Sequence, residues 1–526
     1  MSKRIIIFGV VLSVVLLAGL LAYSMFGCAV KIDKYSDIDR PARIYPDYSS
    51  TVIPPNIAPL NFMVQEKGSY YQARIYSDKG EAVEVSSRSP MLSIPIGPWH
   101  ELLSKNRGGR LNFDVFVRTD SHNWVRYRSI TNKIADEDID GYLVYRRMHP
   151  PFHYPIRGPI GIFQRDLRSF DEKLVLDNHH QKAGCINCHT FCGNRPEKML
   201  LGVRSPDYGM ITLLVEGTTV QKVDSKFGYS TWHPSGRLAA FSIDKLPMFF
   251  HTAGSNVSDT VDVDSSLAYF VVDSKTVKTT PEISKKERLE SWPMWSADGR
   301  YLYFCSAPML WKEQTAIPPE GYNKVKYDLV RISYDIETDK WGKAETIISA
   351  ADTGRSIAMP RTSPDGRWLT FCMSDYGFLP TWQESSDLYI VDLKAAQEIG
   401  RYEYRRLNNN SDKSESWQSW SSNSRWLAFS SKREHGGFTR SYLSYVDANG
   451  EAYKALIVPQ KDSSFYTHNL EGFNTPEFTT GLILTNNRQL EKVIRSPVQP
   501  GGKTPETTAA PKVKESPKQE YLREVQ

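Results

Sequence analysis

Four stretches in the second half of the chain repeat one alternation of apolar and polar positions. They are "YSTWHPSGRLAAFS" (Tyr229–Ser242), "SWPMWSADGRYLYFCS" (Ser291–Ser306), "AMPRTSPDGRWLTFCMS" (Ala358–Ser374) and "SWQSWSSNSRWLAFSS" (Ser416–Ser431). Each has an apolar or aromatic entry, a polar turn, a basic residue and an alternating run that leads to Phe. The turns read PSGR, ADGR, PDGR and SNSR; Asp-Gly and Asn-Ser suit tight hairpins, where φ > 0 is needed. Period-two alternation on both sides predicts strand–turn–strand. A second strand signature follows in each unit: "SSLAYFVVDSKT", "YDLVRISYDIET", "SDLYIVDLKAA" and "SYLSYVDANGE". Each unit therefore predicts about four strands. Four-stranded units repeated about an axis predict a β-propeller, which leaves only short, protected edges. An open array of hairpins or a sandwich is the weaker alternative.

Two more blades are expected. "CHTFCGNRPEKMLLGVRS" (Cys188–Ser205) with "GMITLLVEGTTVQKV" forms a short first blade, and His468–Thr485, with "GFNTPEF", begins a sixth. That last piece lacks four strands, so another segment must help close the ring. Upstream, "NFMVQEKGSYYQARIYS", "LNFDVFVRT" and "WVRYRSITNKI" alternate like half-buried antiparallel strands and predict a small β-sandwich. "HPPFHYPIRGP" (His149–Pro159) is too proline-rich for a central strand and is expected to be a connector. The tail is polar, Pro/Thr/Lys-rich and without periodicity, and is expected to be disordered. The fold class is therefore all-β. An anchor spans residues 1–30, a β-sandwich-like domain and connector 31–175, a six-bladed propeller 176–490 and a tail 491–526.

"WSADGRYLYF" and "SPDGRWLTF" resemble the repeats of TolB-type propellers, which usually have six blades. A closer resemblance is to TolB-like extracytoplasmic proteins of the Bacteroidetes type that carry one C-x-x-C-H at the propeller start. Its matching stretches include "LDNHHQKAGCINCHTF", "PEKMLLGVR", "WHPSGRLAAFS", "SDYG", "SWSSNSRWLAFSSKR" and "FNTPEF", spread over most of the chain. The resemblance implies a membrane-tethered haem propeller and no named reaction.

Composition narrows the setting. The chain has 526 residues with a net charge of +5, from 65 basic and 60 acidic residues. No basic stripe with interleaved aromatics stands out, so a nucleic-acid partner is not expected. Ile5 to Gly27 carries no charge and, as a helix, would span roughly 34 Å, enough for a bilayer core. Lys3 and Arg4 precede it, so the bulk of the chain is expected on the periplasmic side of a bacterial inner membrane. A lipid-modified Cys28, in a lipobox that Met25 and Phe26 fit poorly, and a cleaved signal are the competing readings.

The chemistry concentrates in "GCINCHTFC" (Gly184–Cys192), which places three of six cysteines within eight residues. Cys185, Cys188 and His189 form C-x-x-C-H, the c-type haem attachment pattern. The pattern is expected to hold one covalent haem c on the two thiols, with His189 as the proximal iron ligand. A zinc site using Cys192 is the alternative, since a thioredoxin-like site would want a βαβ setting. An iron–sulfur site lacks a nearby fourth cysteine. Cys192 is expected to be a packed thiol, and Cys305 and Cys372 buried filler, with a bridge between them the alternative.

The distal ligand separates an electron carrier from a ligand-activating site. Placing "CHTF" on "WHPS" sets His233 beside His189 in neighbouring blades, which makes it a distal candidate; His251 is another. His153, His179 and His180 are expected to be solvated, and Met199 and Met210 to be core. Asp298 and Asp365 are expected to serve their turns. No nucleophile elbow, zincin motif or phosphate loop is present, so a carrier is favoured over a catalyst. The expected function is electron transfer to or from a protein partner. The alternatives are a haem oxidoreductase acting on a small molecule at an open iron site, and a protein-binding scaffold with structural haem.

Overall fold

The computed structural model describes residues 32–119, 123–149, 159–179, 184–205, 207–223, 225, 227–251, 258–311 and 317–497. The anchor and Cys28, the histidines His153 and His180, and the tail from residue 498 lie outside them. Among the described residues no helix is long and apolar enough to cross a membrane.

The chain divides into two units. One holds the residues up to Asp138 with Arg168–Phe170 and Val458–Asn469. Its larger sheet runs Ser36–Pro41, Trp124–Arg128, Arg110–Arg118, Ile130–Ile134, Val52–Ile53, with Tyr70–Tyr76 and Val83–Ser87 attached through Arg110–Arg118. A three-stranded sheet and the helix Ile96–Lys105 complete it. The helix turns Trp99, Leu102 and Leu103 inward, and the Trp99 indole donates to the Ile57 carbonyl at 2.9 Å.

The other unit is the propeller. Six sheets succeed one another, and their inner strands are Cys185–Cys192, Ser230–Trp232, Arg288–Trp295, Ser356–Thr362, Glu415–Trp420 and Gly472–Thr479. We number the blades 1 to 6 in that order. In Trp368–Ser374 and Trp426–Ser431 every residue is buried, because a blade's middle strand is covered on both faces.

Blade 6 departs from the sequence expectation. Its inner strand comes from the C-terminal end and pairs antiparallel with Tyr142–Met148, followed outward by Ile160–Asp166 and Glu172–Asp177. The boundary expected at 175/176 therefore falls inside a propeller blade. The segment needed to close the ring is the one assigned to the leading domain and connector. Local alternation marks a strand but not its partner.

The expected start of the disordered tail is corrected too. Asn487–Arg495 is a helix with a capping box between Asn486 and Gln489. It lays Leu490 and Ile494 into a core with Ile162, Val175, Ile186 and Leu213. The i, i+4 spacing of these apolar residues makes the stripe that docks.

Candidate functional site

The inner strands share one irregularity. In blades 3, 4 and 5 the register slips by one residue between Ser291 and Met294, Ala358 and Arg361, and Ser416 and Ser419. Blade 6 has the same slip between Asn474 and Glu477. Each is a β-bulge, which re-aims the following side chain. Trp292, Met359, Trp417 and Thr475 sit at these bulges with φ of 56°, 54°, 59° and 51°. Positive φ in such side chains is strained, and strain of this kind persists where the surroundings hold it.

Blade 1 repeats the slip between Ile186 and His189, where Asn187 and Cys188 together oppose Gly202. The C-x-x-C-H motif is therefore built on the propeller's recurring bulge. "NCH" occupies the place of "WPM", "MPR", "WQS" and "TPE" in blades 3 to 6. The residues after the bulges are His189, Met294, Arg361, Ser419 and Glu477, with Thr231 in blade 2. All six line one axial cavity of ≈ 230 Å³.

His189 is 4% exposed, and both ring nitrogens are buried without a hydrogen-bond partner. Burial, with the Arg146 charge second, pushes its pKa down to about 3, so the ring is neutral. Backbone groups of Thr475 and Val144 oppose that shift, but neither is met at hydrogen-bonding geometry. An orphaned buried nitrogen costs about 1–3 kcal/mol. Two guanidinium groups flank the motif: Arg146 Nη1 donates to Asn187 Oδ1 at 2.7 Å and Arg204 Nη2 to Cys185 Sγ at 3.4 Å. Cys185 is half-buried at the strand's start.

These residues fit a haem by chemistry. A neutral imidazole with a nitrogen free of hydrogen bonds can ligate iron, and a half-buried thiol lies on the same strand. An extended strand sends adjacent residues to opposite faces. The backbone between Cys188 and His189 must therefore turn for both to meet one macrocycle, and the bulge is where this strand already leaves the extended form. The Cys188 side chain lies outside the described atoms.

The structure corrects the distal candidate His233. Aligned on the hairpin turns, His233 matches Ser296, Ser363 and Ser421, and His189 matches Thr231. Those serines each donate to the turn residue two positions on, Asp298, Asp365 and Asn423. His233 does the same work: its Nδ1 lies 2.7 Å from Ser235 Oγ and its Nε2 3.1 Å from the Gly299 carbonyl. Both nitrogens are engaged, and the ring is not among the cavity's lining residues. His251 follows the hairpin strand Met248–Phe250, with its ring edge-on to Phe249 and Nε2 buried without a partner. It too is absent from the cavity lining.

Other expectations divide. Asp298 and Asp365 do hold their turns, each also accepting from the backbone N–H of Arg300 and Arg367. Met199 is core, whereas Met210 is 56% exposed because it lies at the open end of its strand. His179 is exposed beside Asp177. Cys192, Cys305 and Cys372 are buried free thiols, and burial pushes the pKa of the last two up. Cys192 accepts from Arg195 Nη2 at 3.0 Å. Among the described residues no group of three or more His, Cys, Asp or Glu is placed to hold a metal ion.

Sequence reasoning missed Met294, Arg361 and Glu477. The signal was available in "WPMWS", "MPRTS", "WQSWS" and "TPEFT", but alignment on histidines hid it. Glu477 Oε1 accepts from the Phe191 N–H at 2.9 Å, and burial pushes its pKa up to about 7 against the pull of Arg361.

The six sheets define a mostly-β protein with a β-propeller. No family model and no curated protein sequence matches the chain. Among solved structures it is similar to a puromycin hydrolase, at 16% identity and TM-score 0.33 over 60% of this chain and 45% of that one. It is similar to the Kuenenia stuttgartiensis hydrazine synthase at 14% and 0.29, over 50% of this chain and 64% of that one. A third is the β-propeller domain of Myceliophteria thermophila Cps50 (Swd1), at 15% and 0.29, over 57% and 80%. The match thus spans under half of the hydrolase and under two thirds of the synthase chain. Likeness at this level carries no argument about activity.

Proposed function

We propose that the chain is a monohaem c-type cytochrome on a TolB-like six-bladed propeller. Its N-terminal segment tethers it to the periplasmic side of the inner membrane, and it exchanges electrons with a protein partner. The observation that carries this reading is His189: a buried neutral imidazole with two unpartnered nitrogens, directly after C-x-x-C at a strand bulge. Cys185 and Cys188 would hold the haem, and His189 would ligate the iron. A bound haem supplies one-electron chemistry. The chain's own part is to orient and to shield. Inter-blade packing around Ile186 and Leu201 fixes the strand, and Arg146 and Arg204 would meet acidic groups of the cofactor.

The test is an absorption spectrum of protein matured with the haem-attachment machinery. A sharp reduced α-band that survives acid-acetone extraction is expected. It should be lost as covalent colour when both Cys185 and Cys188 become Ser. His189→Ala is expected to keep the covalent colour but turn high-spin and bind carbon monoxide. A wild-type protein without haem absorption would sink the reading. Wild-type iron that already binds carbon monoxide would move it from carrier to small-molecule chemistry.

A further inference from the structure

A smaller pocket of ≈ 30 Å³ lies where blades 4, 5 and 6 meet, and it shares no lining residue with the channel that His189 lines. Lys432 leads out of the blade 5 strand Trp426–Ser431, Trp382 ends the short turn Pro380–Trp382 of blade 4, and Asn474 sits on the closing strand of blade 6. Lys432 is half-buried, and its Nζ stands 4.6 Å from the centre of the Trp382 ring. Among the described residues that ring face is its only close partner, and no acceptor meets its N–H groups. Glu384, whose charge reaches it, is bonded to Lys413 Nζ at 2.8 Å. Burial pushes the Lys432 pKa down to about 8. An ammonium drawn from water without an anion beside it is unfavourable.

The rest of the lining adds donors, and no Asp or Glu is among the described residues that form it. Gly437 and Phe438 border the pocket, and their backbone N–H groups meet no acceptor among the described residues. Gly436, with φ of 71°, turns the chain just ahead of them. Successive backbone N–H groups in such a turn make a concavity for anions. The Asn474 amide donates at 3.3 Å to Met148 Sδ, a weak acceptor, while its Oδ1 accepts from the Thr439 hydroxyl at 2.7 Å. We propose that this pocket binds one small monovalent anion of halide size, held by the Lys432 ammonium and the Gly437 and Phe438 N–H groups. The volume leaves room for about two water-sized bodies, which favours a halide over tetrahedral sulfate or phosphate. The anion would tie the blade 5 loop to the strand that closes the ring. The inference does not rest on the haem.

The experiment is thermal unfolding of the full-length protein near pH 7, with sodium chloride replacing sodium gluconate at constant ionic strength. A ligand that binds only the folded state raises Tm with the logarithm of its concentration once that exceeds Kd. Chloride and bromide are expected to raise Tm in this way, with Kd below about 50 mM. Sulfate at matched ionic strength should act at least about tenfold more weakly. Lys432→Met is expected to weaken the chloride effect by about tenfold or more, and Lys432→Gln makes the same comparison if Lys432→Met fails to fold. Lys340→Met, at an exposed lysine, should leave the chloride dependence as it is in the wild type. No chloride-specific rise up to about 200 mM, sulfate as effective as chloride, or a Lys432 variant as responsive as the wild type would each overturn the proposal and leave the pocket to water.

Discussion

Phe478→Ala is expected to destabilise the protein by about 3–5 kcal/mol, the usual cost of emptying a fully buried aromatic site. Phe478 is 0% exposed on the inner strand of blade 6, where it stands opposite Leu143. That strand and its partner are separated by more than three hundred residues of chain. Their pairing is what turns six sheets into a ring. A cavity there weakens closure as well as packing, so the loss should lie at the upper end of that range. Leu482→Ala, at a side chain 50% exposed, is the control and should change stability by less than about 0.5 kcal/mol. Urea unfolding followed by tryptophan fluorescence measures both. A loss below about 1 kcal/mol for Phe478→Ala would mean that the closing strand lies outside the cooperative unit.

Asp262→Asn should remove a slope from the pH dependence of stability. The Asp262 carboxyl is 3% exposed. Its Oδ2 accepts from Ser265 and from the Tyr327 hydroxyl, while Oδ1 is buried without a partner. Burial first, and the Asp244 charge second, push its pKa up to about 8. The folded protein therefore keeps this proton over a range in which the unfolded chain, titrating near 4, has released it. Stability from this group is fully present below about pH 4 and is lost as pH rises toward 8. The loss accumulates across that window as the unfolded chain releases a proton that the folded protein keeps. Glu290, pushed up to about 7 by burial, adds in the same sense. Thermal unfolding of wild type and Asp262→Asn between pH 5 and 9 reads the difference. The wild type should fall relative to the variant as pH rises. Parallel curves would show that Asp262 ionises in the folded protein as it does in the unfolded chain.

Much of the fold was legible because its signals are local. Period-two alternation and turn residues at fixed offsets mark a hairpin wherever they occur. The turns at Gly236, Gly299 and Gly366 do take φ of 70°, 73° and 74°. Cys185, Cys188 and His189 were legible for the same reason, since the motif is contiguous. The bulges were not. The step from Ser291 to Met294 counts as one extra residue only against Cys305 and Tyr303 on the next strand. Without that count, His189 was matched to His233 rather than to Met294, Arg361 and Glu477.

By itself the sequence determined the hairpins of the four clear repeats, their turns and the contiguous C-x-x-C-H motif. These depend on steric and hydrophobic preferences within a few residues of chain. Only the tertiary structure decided that Tyr142–Asp177 completes the blade begun at Gly472, that His233 spends both nitrogens on its turn and the next blade, and that six strands aim one residue each into a common channel. Those outcomes depend on which distant strands pair and in what register, and nothing local encodes a partner three hundred residues away.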